Sequence, residues 1–257
     1  MLSDLATNLR GIENLIEDQP YIGKYEEFCR DIFVGPAKLC GWDALQNEGH
    51  QQSLFRSTAL SNMGHYGDKQ TLDEATKRFF DYVKNPNQVH PDIRSVVFNL
   101  AAKMGDDETY KQMWELEKQS ELQEEKVRLH SALGNFNDER QLNETLTRSL
   151  TDDIRVQDTI RVIVGVSSSR KGRSLAWDFI RNNWEELDRR YGDGGFALMR
   201  LVSIVSGFSS TDRLEEVEKF FEVNPAPAAE RTIEPVSYTH LRAHETEADL
   251  VCRLLLE

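Results

Sequence analysis

The sequence predicts an all-α protein built as a solenoid of antiparallel helix pairs. Three observations carry that prediction. Apolar residues recur at helical spacing along nearly the whole chain. No strand-like alternation of any length interrupts them. Unit starts at Gly67, Gly105, Asn137, Gly172 and Thr211 follow one another at 38, 32, 35 and 39 residues, the period of two-helix repeats. One amphipathic pair cannot bury its stripe alone, so neighbouring pairs stack and share a core along one axis.

The elements follow in order. Leu2, Leu5, Leu9, Ile12, Leu15 and Ile16 form the stripe of a first helix. Pro20 opens a second, Tyr21 to Leu39, because proline in the first helical turn forfeits no hydrogen bond. Phe28, Ile32 and Phe33 supply its buried face. The polar stretch GWDALQNEGH reads as a loop, and a third helix takes Leu54, Ala59, Leu60 and Met63. Thr71, with Glu74 three residues on, reads as the cap of a fourth. After Pro91, DIRSVVFNLAAKM is an apolar helix; GDDETYKQMWELEKQ and EEKVRLHSALGNFNDERQLNETLTRSL then repeat turns and helices. Two further units run from Arg155 to Pro227, with Gly172 and Gly207 in their turns. Leu175, Trp177, Phe179, Ile180 and Trp184, then Leu214, Val217, Phe220 and Phe221, form their apolar faces.

The composition narrows function. Hydrophobic residues make up 39% of the 257, which suits a thin, elongated core. The net charge of −13 disfavours nucleic acid, whose phosphates need basic patches, and anionic membrane surfaces. Cys29, Cys40 and Cys252 are too few for a disulfide framework or a structural zinc site. No apolar run approaches the roughly 20 residues needed to span a bilayer. The opening MLSDLATNLRGIENL lacks the apolar core of a signal peptide.

At GWDALQNEGH, LQEEKVRLHSALG, RVQDTIRVIVGVSSSRKGRSLAWDFIRNNWEEL and FFEVNPAPAAERTI the sequence resembles the C-terminal domain of the gluzincin zinc aminopeptidases, of the puromycin-sensitive type. That domain type is named after the endoplasmic-reticulum aminopeptidases. The resemblance covers residues 1–233. It implies a right-handed superhelix of HEAT/armadillo-like helix pairs that closes over a catalytic domain and walls off a cavity for peptides. It also implies a cytoplasmic enzyme that removes N-terminal residues, with peptide substrates and the catalytic domain of the same polypeptide as partners.

The family's chemistry needs H-E-x-x-H on a helix, a further Glu ligand and a G-A-M-E-N loop; the Glu of the first motif activates a zinc-bound water. This chain has neither motif. In the nearest string, His244-Glu245-Thr246-Glu247-Ala248, alanine stands where the second histidine is required. The expectation is a chain with no cofactor of its own and no hydrolysis by itself, the zinc belonging to the full-length enzyme. Residues 234–257 depart from the family pattern and read as translated read-through. If they replace a terminal helix, Phe220 and Phe221 lose a neighbour and the fragment becomes aggregation-prone.

Arg200, a lone cation within the apolar FALMRLVSIV, is the candidate substrate-binding residue, placed to pair with a peptide carboxylate. Glu48, His50 and Arg56 read as a network tying down the GWD loop. Arg170, Lys171 and Arg173 read as a solvated turn, and Trp42, Trp114, Trp177 and Trp184 as core. A second functional class stays open: a free-standing helical scaffold that binds another protein.

Overall fold

A computed structural model describes residues 2–44, 48–192, 196–208 and 211–227. Among the described residues the fold is all-α. Thirteen α-helices follow in order: α1 Leu2–Ile16, α2 Ile22–Cys40, α3 His50–His65, α4 Lys69–Lys84, α5 Pro91–Lys103, α6 Asp107–Gln119, α7 Gln123–Leu133, α8 Glu139–Arg148, α9 Val156–Val166, α10 Arg170–Asn182, α11 Trp184–Tyr191, α12 Phe196–Val202 and α13 Thr211–Val223. Short 3-10 turns cover Pro86–Gln88 and Ser203–Gly207. The chain divides into two compact units, Met1–Leu175 and Ala176 onward, and the division falls inside α10. The expected tail, 234–257, lies outside the described residues.

In the first unit the apolar helices form a row, α3 on α5, α5 on α7 and α7 on α9, with α1 against α3. The amphipathic helices α2, α4, α6 and α8 each lean on the apolar helix that follows. Val96, Val97, Phe98, Leu129, Leu133, Ile160 and Ile163 are buried in the row. Each such side chain contributes about 1.5–3 kcal/mol of transfer free energy.

Polar links stitch successive members of the row at both ends. At one end Ser53 Oγ donates to Asp92 Oδ2 at 2.6 Å, Arg94 Nη1 to Glu125 Oε1 at 2.8 Å, and Gln123 Nε2 to Asp158 Oδ2 at 3.2 Å. At the other end side chains cap main-chain carbonyls of the preceding unit. Lys103 Nζ donates to His65 O, Asn137 Nδ2 to Lys103 O at 2.7 Å, and Lys171 Nζ to Asn137 O at 3.5 Å. These last steps are 38, 34 and 34 residues long, which is the period read from the sequence.

Several local expectations change. Asp68, not Thr71, caps α4: its carboxylate accepts from Thr71 N at 2.9 Å and Thr71 Oγ1 at 2.7 Å, which places Thr71 inside the helix. Gly172 lies in the first turn of α10, not between helices, and a Cβ there would sit 2.0 Å from Val166 O. Arg170 and Lys171 are solvent-exposed as expected, but they open α10 rather than form a turn, and Arg173 is not solvated. Arg173 is buried and pairs with Glu17 at 2.9 Å, Arg170 pairs with Asp18, and Lys171 reaches Glu139 at 3.4 Å. The first stripe is wider than its buried part: Ala6 and Leu9 are buried, whereas Leu5, Ile12 and Leu15 face solvent, as does Phe28 on α2.

The second unit packs around aromatic rings. Trp177 is fully buried, with Phe220 at 5.3 Å and Phe221 at 6.0 Å between ring centroids. Trp184 meets both at 5.5 Å. Phe220 and Phe221 therefore have ring partners within the unit, and the neighbour that residues 234–257 were expected to remove falls outside the described residues. The amphipathic helix breaks at Asn183, whose side chain donates back to Phe179 O at 2.8 Å, and α11 begins at Trp184.

Two glycine substitutions separate close packing from helix propensity. A Cβ on Gly134, at the end of α7, would meet Gly165 C at 2.5 Å and Gly165 O at 2.6 Å, backbone that cannot rotate aside. Gly134→Ala is expected to destabilise the chain by about 1–3 kcal/mol. Gly11, in α1, has open space where a Cβ would stand, so Gly11→Ala is expected to stabilise by about 0.5–1 kcal/mol. Urea denaturation of the two variants checks both signs.

Candidate functional site

The first unit holds a groove of about 560 Å³ between α6 and α8. From α6 it takes Asp107, Tyr110, Lys111, Trp114 and Lys118, at i, i+3, i+4, i+7 and i+11, one face of a helix. From α8 it takes Arg140, Glu144 and Arg148, four residues apart. Tyr110 ties the walls together, its Oη lying 3.1 Å from Gln141 O and 3.0 Å from Thr145 Oγ1. Burial raises the Tyr110 phenol further above its usual pKa, so it stays protonated.

Charges alternate along the rim. Arg140 pairs with Asp107, which also accepts from Gln141 Nε2 at 2.8 Å. The bonds from Gln141 and Arg140 hold the Asp107 carboxyl below its usual range. Arg148 pairs with Glu144 at 2.7 Å and lies over the Trp114 ring, 4.7 Å from its centroid. The Trp114 indole N–H is buried and has no acceptor among the described residues. At the floor, buried Glu117 accepts from Lys126 Nζ at 3.1 Å and pairs with buried His130 Nε2 at 3.1 Å. Burial pushes the Glu117 carboxyl up, but His130 and Lys126 outweigh it and hold the group below its ordinary value.

The candidate from the sequence, Arg200, belongs to α12 in the second unit. It is exposed, and no ion pair engages its guanidinium among the described residues. Its carbonyl accepts from Ser203 Oγ at 2.7 Å. Phe196, one turn earlier, is 87% exposed. The loop network forms in part. Both terminal nitrogens of Arg56 meet the Glu48 carboxylate, and its Nε donates to Cys40 O at 3.3 Å. Arg78 holds Asp43 at 2.8 Å and covers half-buried Trp42. His50 takes no role there; it opens α3, exposed. Trp114, Trp177 and Trp184 are buried as expected.

Among the described residues no three His, Cys, Asp or Glu side chains gather as a metal-holding group, and the His244–Ala248 string lies outside them. No described helix is long and apolar enough to cross a membrane.

A family model described as the ERAP1-like C-terminal domain matches residues 1–236. The chain belongs to that family. Aminopeptidase M1 of Arabidopsis thaliana is 29% identical over 238 residues, which is 90% of this chain and 27% of the relative. Aminopeptidase N of Mus musculus is 35% identical over 172 residues, 65% of this chain and 18% of the relative. Aminopeptidase N of Rattus norvegicus is 37% identical over the same length, with the same coverage. The chain thus spans about a quarter or less of the length of these relatives, and it is a C-terminal domain of the M1 aminopeptidase type.

The floor of the groove is testable through pH. The Glu117 carboxyl is depressed below 4.5 in the fold, so its ionised form stabilises the chain above that pH, and the contribution is lost as pH falls through the folded value. Glu117→Gln is expected to cost about 1–3 kcal/mol at pH 7, because Lys126 loses its counter-charge and buried His130 its carboxylate partner. Urea titrations should show the gap from wild type closing below pH 4.5; a gap that stays constant with pH refutes this role.

Proposed function

We propose that the chain is the C-terminal domain of a zinc aminopeptidase. In this reading it is a right-handed superhelix of HEAT/armadillo-like pairs over residues 1–233, which covers the active site and helps bind and size-select peptides. The catalytic domain, outside this chain, holds the zinc and removes N-terminal residues. The family match over residues 1–236 carries the reading, since it takes in every described helix. The carbonyl links at 38, 34 and 34 residues support a repeat array. The net charge of −13 favours peptide partners over nucleic acid and membranes. We place the enzyme in the cytoplasm, where free thiols such as Cys29 and Cys40 persist.

Two places suit peptides. The groove has the size of a small-ligand site, and surface charges that can re-pair line its rim. Arg200 offers a planar fork that matches a carboxylate, with Phe196 as an apolar neighbour.

Arg200 gives the direct test. In the full-length enzyme, Arg200→Ala is expected to lower kcat/KM by about five-fold for peptides with a free C-terminal carboxylate, the worth of one partly exposed ion pair of about 1 kcal/mol. C-terminally amidated peptides should be turned over unchanged. Identical kinetics for both substrate sets would remove Arg200 from the site.

A further inference from the structure

Exposed large apolar side chains are distributed unevenly over this chain. Twelve stand out among the described residues, and six of them fall in the first 40: Leu5, Ile12, Leu15, Tyr21, Phe28 and Leu39. The other six are scattered singly, at helix ends or just beyond them: Leu54, Met104, Leu122, Val156, Phe196 and Val223. Single exposed apolar residues are ordinary, whereas a cluster is not.

The six also share faces. On α1, Leu5, Ile12 and Leu15 stand at i, i+7 and i+10, a stripe beside the buried Ala6 and Leu9. On and just before α2, Tyr21, Phe28 and Leu39 stand at i, i+7 and i+18, about 20° apart around the helix axis. The inward side of α2 is served separately by buried Cys29 and Phe33. On α2 one apolar stripe is thus turned toward the unit and a second away from it, and on α1 the exposed residues flank the buried ones on one side of the same arc. The later amphipathic helices α4, α6 and α8 expose no large apolar side chain.

A helical array needs a polar outer face where it meets solvent. Beside exposed polar residues such as Asp4, Asn8, Lys24 and Glu27, the first pair exposes large apolar side chains that the later amphipathic helices do not, which marks it as an internal boundary. The longer relatives supply the occupant: the matched region is a C-terminal domain by family and covers 27% or less of their length, so most of such a polypeptide precedes α1. We propose that the exposed stripes of α1 and α2, centred on Ile12 and Phe28, form the docking face for the part of the same polypeptide that precedes this chain, through an apolar surface on that part. The inference rests on the reading of this chain as one domain of a longer aminopeptidase. It adds the surface by which the domain is held.

Cysteine accessibility in the full-length enzyme tests it. Single Ile12→Cys and Phe28→Cys variants are compared with Leu122→Cys and Val156→Cys, because the four native side chains are comparably exposed in this chain, at 46%, 57%, 66% and 56%. Maleimide labelling is followed site by site by mass spectrometry, with the denatured enzyme as the reference for intrinsic reactivity. Positions 12 and 28 should label about ten-fold more slowly than 122 and 156, because thiol reaction requires access. The protection should be independent of enzyme concentration. Equal rates at all four positions overturn the proposal. Protection that disappears on dilution also overturns it and assigns the face to a second copy. Labelling does not depend on catalysis, so a negative result beside an intact Arg200 effect on peptides would remove the docking face and leave the functional reading standing.

Discussion

The close approach of α7 to α9 is the constraint on which the first unit depends. Gly134 and Gly165 bring backbone against backbone there, with no side chain between. At that distance the row α3–α5–α7–α9 can be linked at both ends by short polar groups. Asn137 reaches Lys103 O and Lys103 reaches His65 O only because successive apolar helices stand one small-residue contact apart. Small buried residues recur along the row at Ala59, Ala101, Ala102 and Ala132. The carbonyls they help to bring within reach are last-turn or post-helix groups, which a helix leaves unsatisfied. One set of contacts therefore fixes the spacing and satisfies the helix ends.

Charge has a structural role in this frame. The acidic groups Asp92, Glu125 and Asp158 accept bonds from the neighbouring helix of the row. Glu125 and Asp158 are buried, and a buried carboxylate without partners is costly. Each thereby favours one register between neighbours. Arg173 with Glu17 joins residues 156 apart, and Arg173 with Asn14 residues 159 apart, so the start of α10 is tied to the end of α1. Burial raises the Glu17 carboxyl and Arg173 opposes the rise, so the net shift is upward and the pair is stabilised less than its short distance suggests. It serves position more than stability.

The helix content was legible because burial on one face leaves a 3.6-residue signature. The period of about 34–38 residues survives as a physical link in the carbonyl bonds. What stayed hidden depends on partners distant in sequence. Arg173 reads as a turn residue until α1 brings Glu17 to it. Asn183 reads as helical until its side chain bonds Phe179 O and ends α10. The groove was half visible: the spacing of Asp107, Tyr110, Trp114 and Lys118 marks one face of α6, but Arg148 reaches Trp114 only through packing of α8. Arg200 was legible as a lone cation, and it stands exposed on α12.

Amphipathic patterning alone overstates burial at the start of the chain. A stripe of Leu2, Leu5, Leu9, Ile12, Leu15 and Ile16 is too wide for one contact, since an ordinary surface helix needs an apolar arc of about 100°. In the structure Ala6 and Leu9 are buried, whereas Leu5, Ile12 and Leu15, on the flank of the same arc, are exposed. Excess width in an amphipathic helix therefore carries information, because an apolar arc wider than one contact implies a second neighbour. The same logic separates α1 and α2 from α4, α6 and α8, whose outer faces are polar and which need no cover beyond the row they lean on. The polar groove between α6 and α8 stays open to a soluble ligand for the same reason. The first pair and the groove thus have opposite surface chemistry within one unit, the pair suited to a permanent neighbour and the groove to an exchangeable one.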